Sequence, residues 1–101
     1  MRTKPSHPYP TPEIEELFQA IREIHSDEEA ANFFRDLLTL PELNEFANRW
    51  QIVKRLVQKH AYLDIAHELN VSTTTVSRVA HWLKNGAGGY EAIASRLFSN
   101  R

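Results

Sequence analysis

Apolar residues recur along this chain at helical spacing. Ile14, Leu17, Phe18, Ile21 and Ile24 fall at i, i+3, i+4, i+7 and i+10, which is one face of a helix. Thr11 followed by Pro12 reads as an N-cap and a first helical residue. Glu13, Glu15 and Glu16 then sit at the positive end of the helix dipole. A second helix starts at Ser26, which forms a capping box with Glu29, and its apolar positions are Ala30, Phe33, Phe34, Leu37 and Leu38. A third starts at Thr39-Leu40-Pro41-Glu42. Its apolar positions are Leu43, Phe46, Ala47, Trp50, Ile52, Val53, Leu56 and Val57. They extend over about 20 residues and fit one helix, or two with a bend near residues 47–49. Short helices follow over residues 63–69, 72–83 and 90–98, the last two separated by Asn85-Gly86-Ala87-Gly88-Gly89. No period-two alternation bounded by hairpin turns occurs, so the pattern predicts an all-α fold of six or seven helices.

Four of the five prolines lie in the first 12 residues, and each removes a donor and biases its neighbour away from helix. Residues 1–12 therefore read as a flexible tail, mildly basic through Arg2 and Lys4: either a frayed terminus or an arm that touches DNA or a partner subunit. Residues 13–101 are long enough for one domain and too short for two. No apolar run approaches the 18 residues of a membrane span, and the N-terminus has no apolar stretch of the signal-peptide kind. The expected location is cytoplasmic, with no membrane partner. The absence of cysteine excludes disulfides, cysteine-liganded zinc, iron–sulfur clusters and a thiol nucleophile. Neither GxGxxG nor GxxxxGK[ST] occurs, and no cofactor is expected.

Charge adds a feature that the net value of −1 conceals. Residues 1–45 hold four basic residues against ten acids, a net of −6, whereas residues 46–101 hold eight against three, a net of +5. A positive half that contains a recognition element points to a polyanion.

Such an element lies in YLDIAHELNVSTTTVSRVAHWL, residues 62–83. Ile65, Ala66 and Leu69 face inward on the first helix, with the small Ala66 where two helices cross closely. Asn70 tolerates the left-handed turn, Val71 plugs the junction and Ser72 caps the second helix. Val76 and Val79 point back at Ile65 and Leu69. This is the packing pattern of a helix-turn-helix. By subtraction, Thr73, Thr74, Ser77 and Arg78 face outward near the end that enters the major groove. Hydroxyls bond base edges there, and threonine methyls pack on thymine methyls. Arg49, Lys54, Arg55 and Lys59 on the preceding helix, and Lys84 at the end of the recognition helix, read as phosphate contacts. The alternative is a protein-interaction module that reuses the same helical corner. Catalysis is not expected. His60, Asp64 and His67 are spaced i, i+4, i+7, but two histidines and one carboxylate make a thin metal site, and His60 falls before the helix.

The stretch LLTLPELNEFANRWQIVKRLVQKHAYLDIAHELNVSTTTVSRVAHWLKNGAGGYEAI covers over half the chain. It resembles the tryptophan repressor family, most closely its YerC/YecD-type branch. The resemblance rests on the LxLPE-type helix start, Asn-Arg-x-x-Ile-Val, the Thr-Val-Ser-Arg recognition helix and the turn over residues 84–89. It implies an intertwined homodimer that regulates transcription, as a repressor, from palindromic operators. Residues 13–40 would be the dimerisation helices and residues 62–84 the helix-turn-helix. The resemblance also places an effector pocket. Arg49 and Arg78 match the two arginines that sandwich an indole, and Thr39 matches a pocket threonine. Val79 stands where the family has the glycine against which the ligand packs, and Trp82 where it has a serine that holds the amino group. A valine and a tryptophan take the space of an indole, so tryptophan is not the expected corepressor, while another effector or none stays open. Leu63, Ala66 and His67 stand where the family carries basic residues, which implies a different operator.

Overall fold

The structure, a computed structural model, describes residues 8–98. Among them are six helices and no strand. The chain divides after Thr39 into two units.

In the first unit, α1 (Pro12–Arg22) begins where Thr11 Oγ1 accepts from the Ile14 N–H at 3.2 Å, with Pro12 in the first turn. Ile24 lies beyond this helix rather than on its face. The second helix, α2 (Asp27–Leu37), begins at Ser26, whose Oγ accepts from the Glu29 N–H at 3.1 Å. The reciprocal arm of the expected box reaches one residue further back. Glu29 Oε1 accepts from the His25 N–H at 2.8 Å, so the carboxylate still serves a donor that the helix leaves open. Neither helix has a buried residue, although both carry an apolar face. The Arg2 and Lys4 part of the tail lies outside the described residues.

The second unit holds α3 (Leu40–Val57), α4 (Tyr62–Leu69), α5 (Thr73–Asn85) and α6 (Gly89–Phe98). The longest helix, α3, is continuous through residues 47–49, the one-helix alternative of the sequence pattern. It packs against each of the other three, and α5 packs against α4 and α6. Where these meet, Ile52, Val53, Ile65 and Val76 are fully buried, joined by Ala66, Val79, Ala80 and Ala94. Each of the fully buried isoleucine and valine side chains contributes roughly 1.5–3 kcal/mol on withdrawal from water. The Trp50 ring, 5.5 Å from Phe98 and 6.3 Å from Tyr90, holds α6 to α3.

The helix ends are set by backbone chemistry. After α3 the Lys59 N–H donates to the Leu56 carbonyl and the His60 N–H to the Arg55 carbonyl, each at 3.0 Å, with Lys59 at φ 70°. After α4 the same pair of bonds recurs, from Asn70 to His67 and from Val71 to Ala66, with Asn70 at φ 56°. Both ends are Schellman motifs. Asparagine fits the left-handed position well, and lysine fits it poorly. At the end of α5, Gly86 donates to the Trp82 carbonyl at 2.9 Å. A Cβ on Gly86 would lie 2.5 Å from that same carbonyl oxygen. Gly86→Ala is therefore expected to lower stability by about 1–2 kcal/mol, read as a shift in a chemical denaturation midpoint. A parent-like midpoint would mean that the α5–α6 corner relaxes freely.

Candidate nucleic-acid interface

The helix-turn-helix consists of α4, the left-handed corner at Asn70, and α5. Ala66 is buried at the crossing, and Val71 packs against the core from the corner. Ser72 caps α5, its Oγ accepting from the Thr75 N–H at 3.0 Å, and contacts the Thr75 hydroxyl at the same distance. Val76, Val79 and Ala80 form the buried side of α5. Ala80 extends the expected inward set; its signal in the sequence was the i, i+4 spacing from Val76. The opposite side presents Thr73, Thr74, Ser77 and Arg78, all exposed and all within the first two turns. Arg78 makes no ion pair with any described residue.

The cations around this helix differ in their freedom. Lys84 is exposed in the last turn of α5. Lys59 is exposed too, but it lies in the turn after α3 rather than on that helix, because α3 ends at Val57. Lys54 is half-buried, with its ammonium 5.7 Å from the Phe98 ring centre. Arg55 is half-buried and already paired. Its Nε donates to Glu68 Oε1 at 3.0 Å and its NH1 to Gln51 Oε1 at 2.6 Å, so it ties α3 to α4. That tie spans 13 residues of sequence, and only the docked helices bring it about. Arg49 pairs with Glu45 one turn earlier and lies 5.7 Å from the Phe46 ring centre.

The residues matched to the effector pocket are distributed as follows. Arg49 sits on α3 beside a cleft with Phe46, Trp50 and Tyr90. On α5, Arg78 is exposed and Val79 is buried in the core. Trp82 is turned away from the buried side. It is 58% exposed, with its ring 5.0 Å from that of His81, rather than seated in the interior. Thr39 closes the first unit. Of the three residues that stand where the family carries basic ones, His67 is exposed and Leu63 is 72% exposed, whereas Ala66 is buried at the helix crossing and is not part of that surface. His60 precedes α4, 3.9 Å from Glu68 through Nδ1, while Asp64 and His67 are exposed on that helix. No group of metal-ligating side chains forms among the described residues. No described helix is long and apolar enough to cross a membrane.

A buried crossing, a left-handed corner and an outward hydroxyl-and-arginine face define a helix-turn-helix of the DNA-binding regulator class. The chain belongs to the Trp repressor protein family, which matches residues 12–98. It is 34% identical over 85 residues to the uncharacterized protein YerC of Bacillus subtilis (strain 168), covering 84% of this chain and 82% of that one. Its fold is similar to that of a TrpR-like protein from Eubacterium eligens ATCC 27750. The TM-score is 0.84 at 37% identity, over 91% of this chain and 95% of the other. It is also similar to a Trp repressor candidate from Staphylococcus aureus, with a TM-score of 0.81 at 34% identity over 88% and 90% of the two chains. The all-α fold and the YerC-type relationship expected from the sequence both hold.

Proposed function

We propose that this protein is a sequence-specific double-stranded DNA-binding regulator of transcription, most simply a repressor, which acts by binding rather than by catalysis. The observation that carries the reading is the division of α5. Val76, Val79 and Ala80 anchor one side in the core, which leaves Thr73, Thr74, Ser77 and Arg78 exposed at the helix's N-terminal end. In helix-turn-helix proteins this end meets base edges in the major groove. Lys84 and Lys59 supply exposed positive charge for phosphates, and Lys54 a half-buried one. Arg55 contributes mainly by fixing α4 on α3.

The active form is a homodimer. Residues 13–40 carry two amphipathic helices without one buried side chain, and Phe18 and Leu37 are among the large apolar residues left exposed. Such faces are stable in water when a second chain covers them. A two-fold dimer presents two copies of α5 and so reads a palindrome. Tryptophan is not the corepressor. Val79, buried on α5, takes the place of the family's pocket glycine, and Trp82, exposed on the same helix, replaces the serine that would hold the amino group. The site of action is the cytoplasm.

Selection from a random duplex library at near-physiological salt, without added ligand, tests the reading. The expected result is a palindrome with half-sites about one helical turn apart. If no duplex is retained even at low salt, the DNA-binding reading fails and the corner serves protein contacts.

A further inference from the structure

A second site lies apart from the positions matched to the family's effector pocket. The end of α3, the start of α4, the last turn of α5 and the first turn of α6 enclose a cleft of about 670 Å3. Small-molecule sites commonly occupy roughly 300–1,000 Å3. The apolar part of its lining is Leu56, Val57 and Leu83, all half-buried, and the buried Ala80. The polar part includes Lys59, Lys84 and Glu91, all exposed. None of these three forms an ion pair with a described residue. Two fixed cations against one carboxylate leave the rim with one positive charge. His60 also borders the cleft, and its Nδ1 lies 3.9 Å from the Glu68 carboxylate on α4.

The geometry points to a binding site for a small amphipathic organic monoanion. Its apolar body would rest on Leu56, Ala80 and Leu83, and its carboxylate or sulfonate would face Lys59 and Lys84. Charge balance selects one negative group, and the apolar floor selects an organic body over inorganic phosphate. Lys59 adds a separate argument. It keeps φ 70° in a Schellman corner where glycine or asparagine is at ease. Strained backbone positions cluster at ligand sites, and Lys59 stands at one beside the cleft. The ligand would bridge the α3–α4 turn to the last turn of α5. Because Lys59 and Lys84 are also the proposed phosphate contacts, it would compete with the duplex for them.

The probe is anilinonaphthalene sulfonate, titrated into the full-length protein without DNA. It is followed by fluorescence and by amide chemical shifts. The expected result is saturable binding, with shifts concentrated at Leu56, Tyr62, Ala80, Leu83 and Lys84. Lys84→Ala is expected to weaken binding about tenfold. Lys59→Gly is expected to do the same while the protein melts a few degrees higher, because glycine relieves the corner. The neutral analogue phenylnaphthylamine is expected to bind at least about tenfold more weakly than the sulfonate. Shifts centred elsewhere, equal binding by the variants or by the neutral analogue, or no binding at all would each overturn the assignment. Because no DNA is present, these outcomes are separate from those of the duplex selection.

Discussion

Val76→Asp is expected to abolish the cooperative melting of this protein. Val76 has no exposed surface and packs in one cluster with Ile52, Val53 and Ile65, where α3, α4 and α5 meet. A carboxylate at that point has no water, and no buried polar side chain surrounds it. The carboxyl must be buried charged and unpaired, or take up a proton and still lack partners, and either state costs several kcal/mol. A domain of this size has total stability of about 5–15 kcal/mol, so a loss above about 4 kcal/mol leaves little of the native population. Two controls separate position from chemistry. Val76→Ala removes two methyl groups and is expected to cost about 2–3 kcal/mol with the fold retained. Ser77→Asp adds the same charge one residue later on the exposed side, and is expected to stay within about 0.5 kcal/mol of the parent. Calorimetry or denaturant titration reads all three. A parent-like melt for Val76→Asp would mean that the inward side of α5 is misassigned.

The features of this fold that were legible in the sequence are those decided within a few residues. The caps at Thr11, Ser26 and Ser72 rest on bonds three residues long and all three form, although Glu29 closes the expected box on the His25 N–H rather than on that of Ser26. The helix-turn-helix was legible for the same reason. Ala66, Asn70, Val71, Val76 and Val79 fall within one short stretch, and each has its own local requirement of size or backbone angle. Continuity of α3 was harder to read. Its apolar stripe shifts from Phe46, half exposed, to the adjacent Ile52 and Val53, both fully buried, and a shifting stripe mimics a bend. The cause is tertiary: the later part of α3 meets three helices at once, so its buried arc is wide. Among the cations, sequence position could not separate Arg55, drawn inward by Glu68 from another helix, from Lys84, which stays exposed. The cleft edged by Lys59, Lys84 and Glu91 joins residues from distant parts of the chain, and no local spacing announces it.

Arg78→Ala is expected to reduce specific DNA affinity by about tenfold or more, with stability within about 0.5 kcal/mol of the parent. The side chain is exposed, has no ion-pair partner among the described residues, and stands one turn beyond the threonines on the same side of α5. Its removal should therefore leave the core untouched and change only what the helix presents. A guanidinium aimed at guanine makes two parallel hydrogen bonds that lysine cannot reproduce, whereas a phosphate accepts either cation. Arg78→Lys distinguishes these roles. If Arg78 reads a base, lysine recovers little affinity and specificity relaxes at one position of the half-site. If it holds a phosphate, lysine recovers most of the binding and all sequences weaken alike. Lys84→Ala supplies the comparison, since loss of one phosphate contact is expected to lower the salt slope by about one without changing sequence preference. Fluorescence anisotropy across a salt series, on the selected duplex and a scrambled one, measures both effects together. Unchanged affinity in Arg78→Ala would remove α5 from the groove and transfer recognition to another surface.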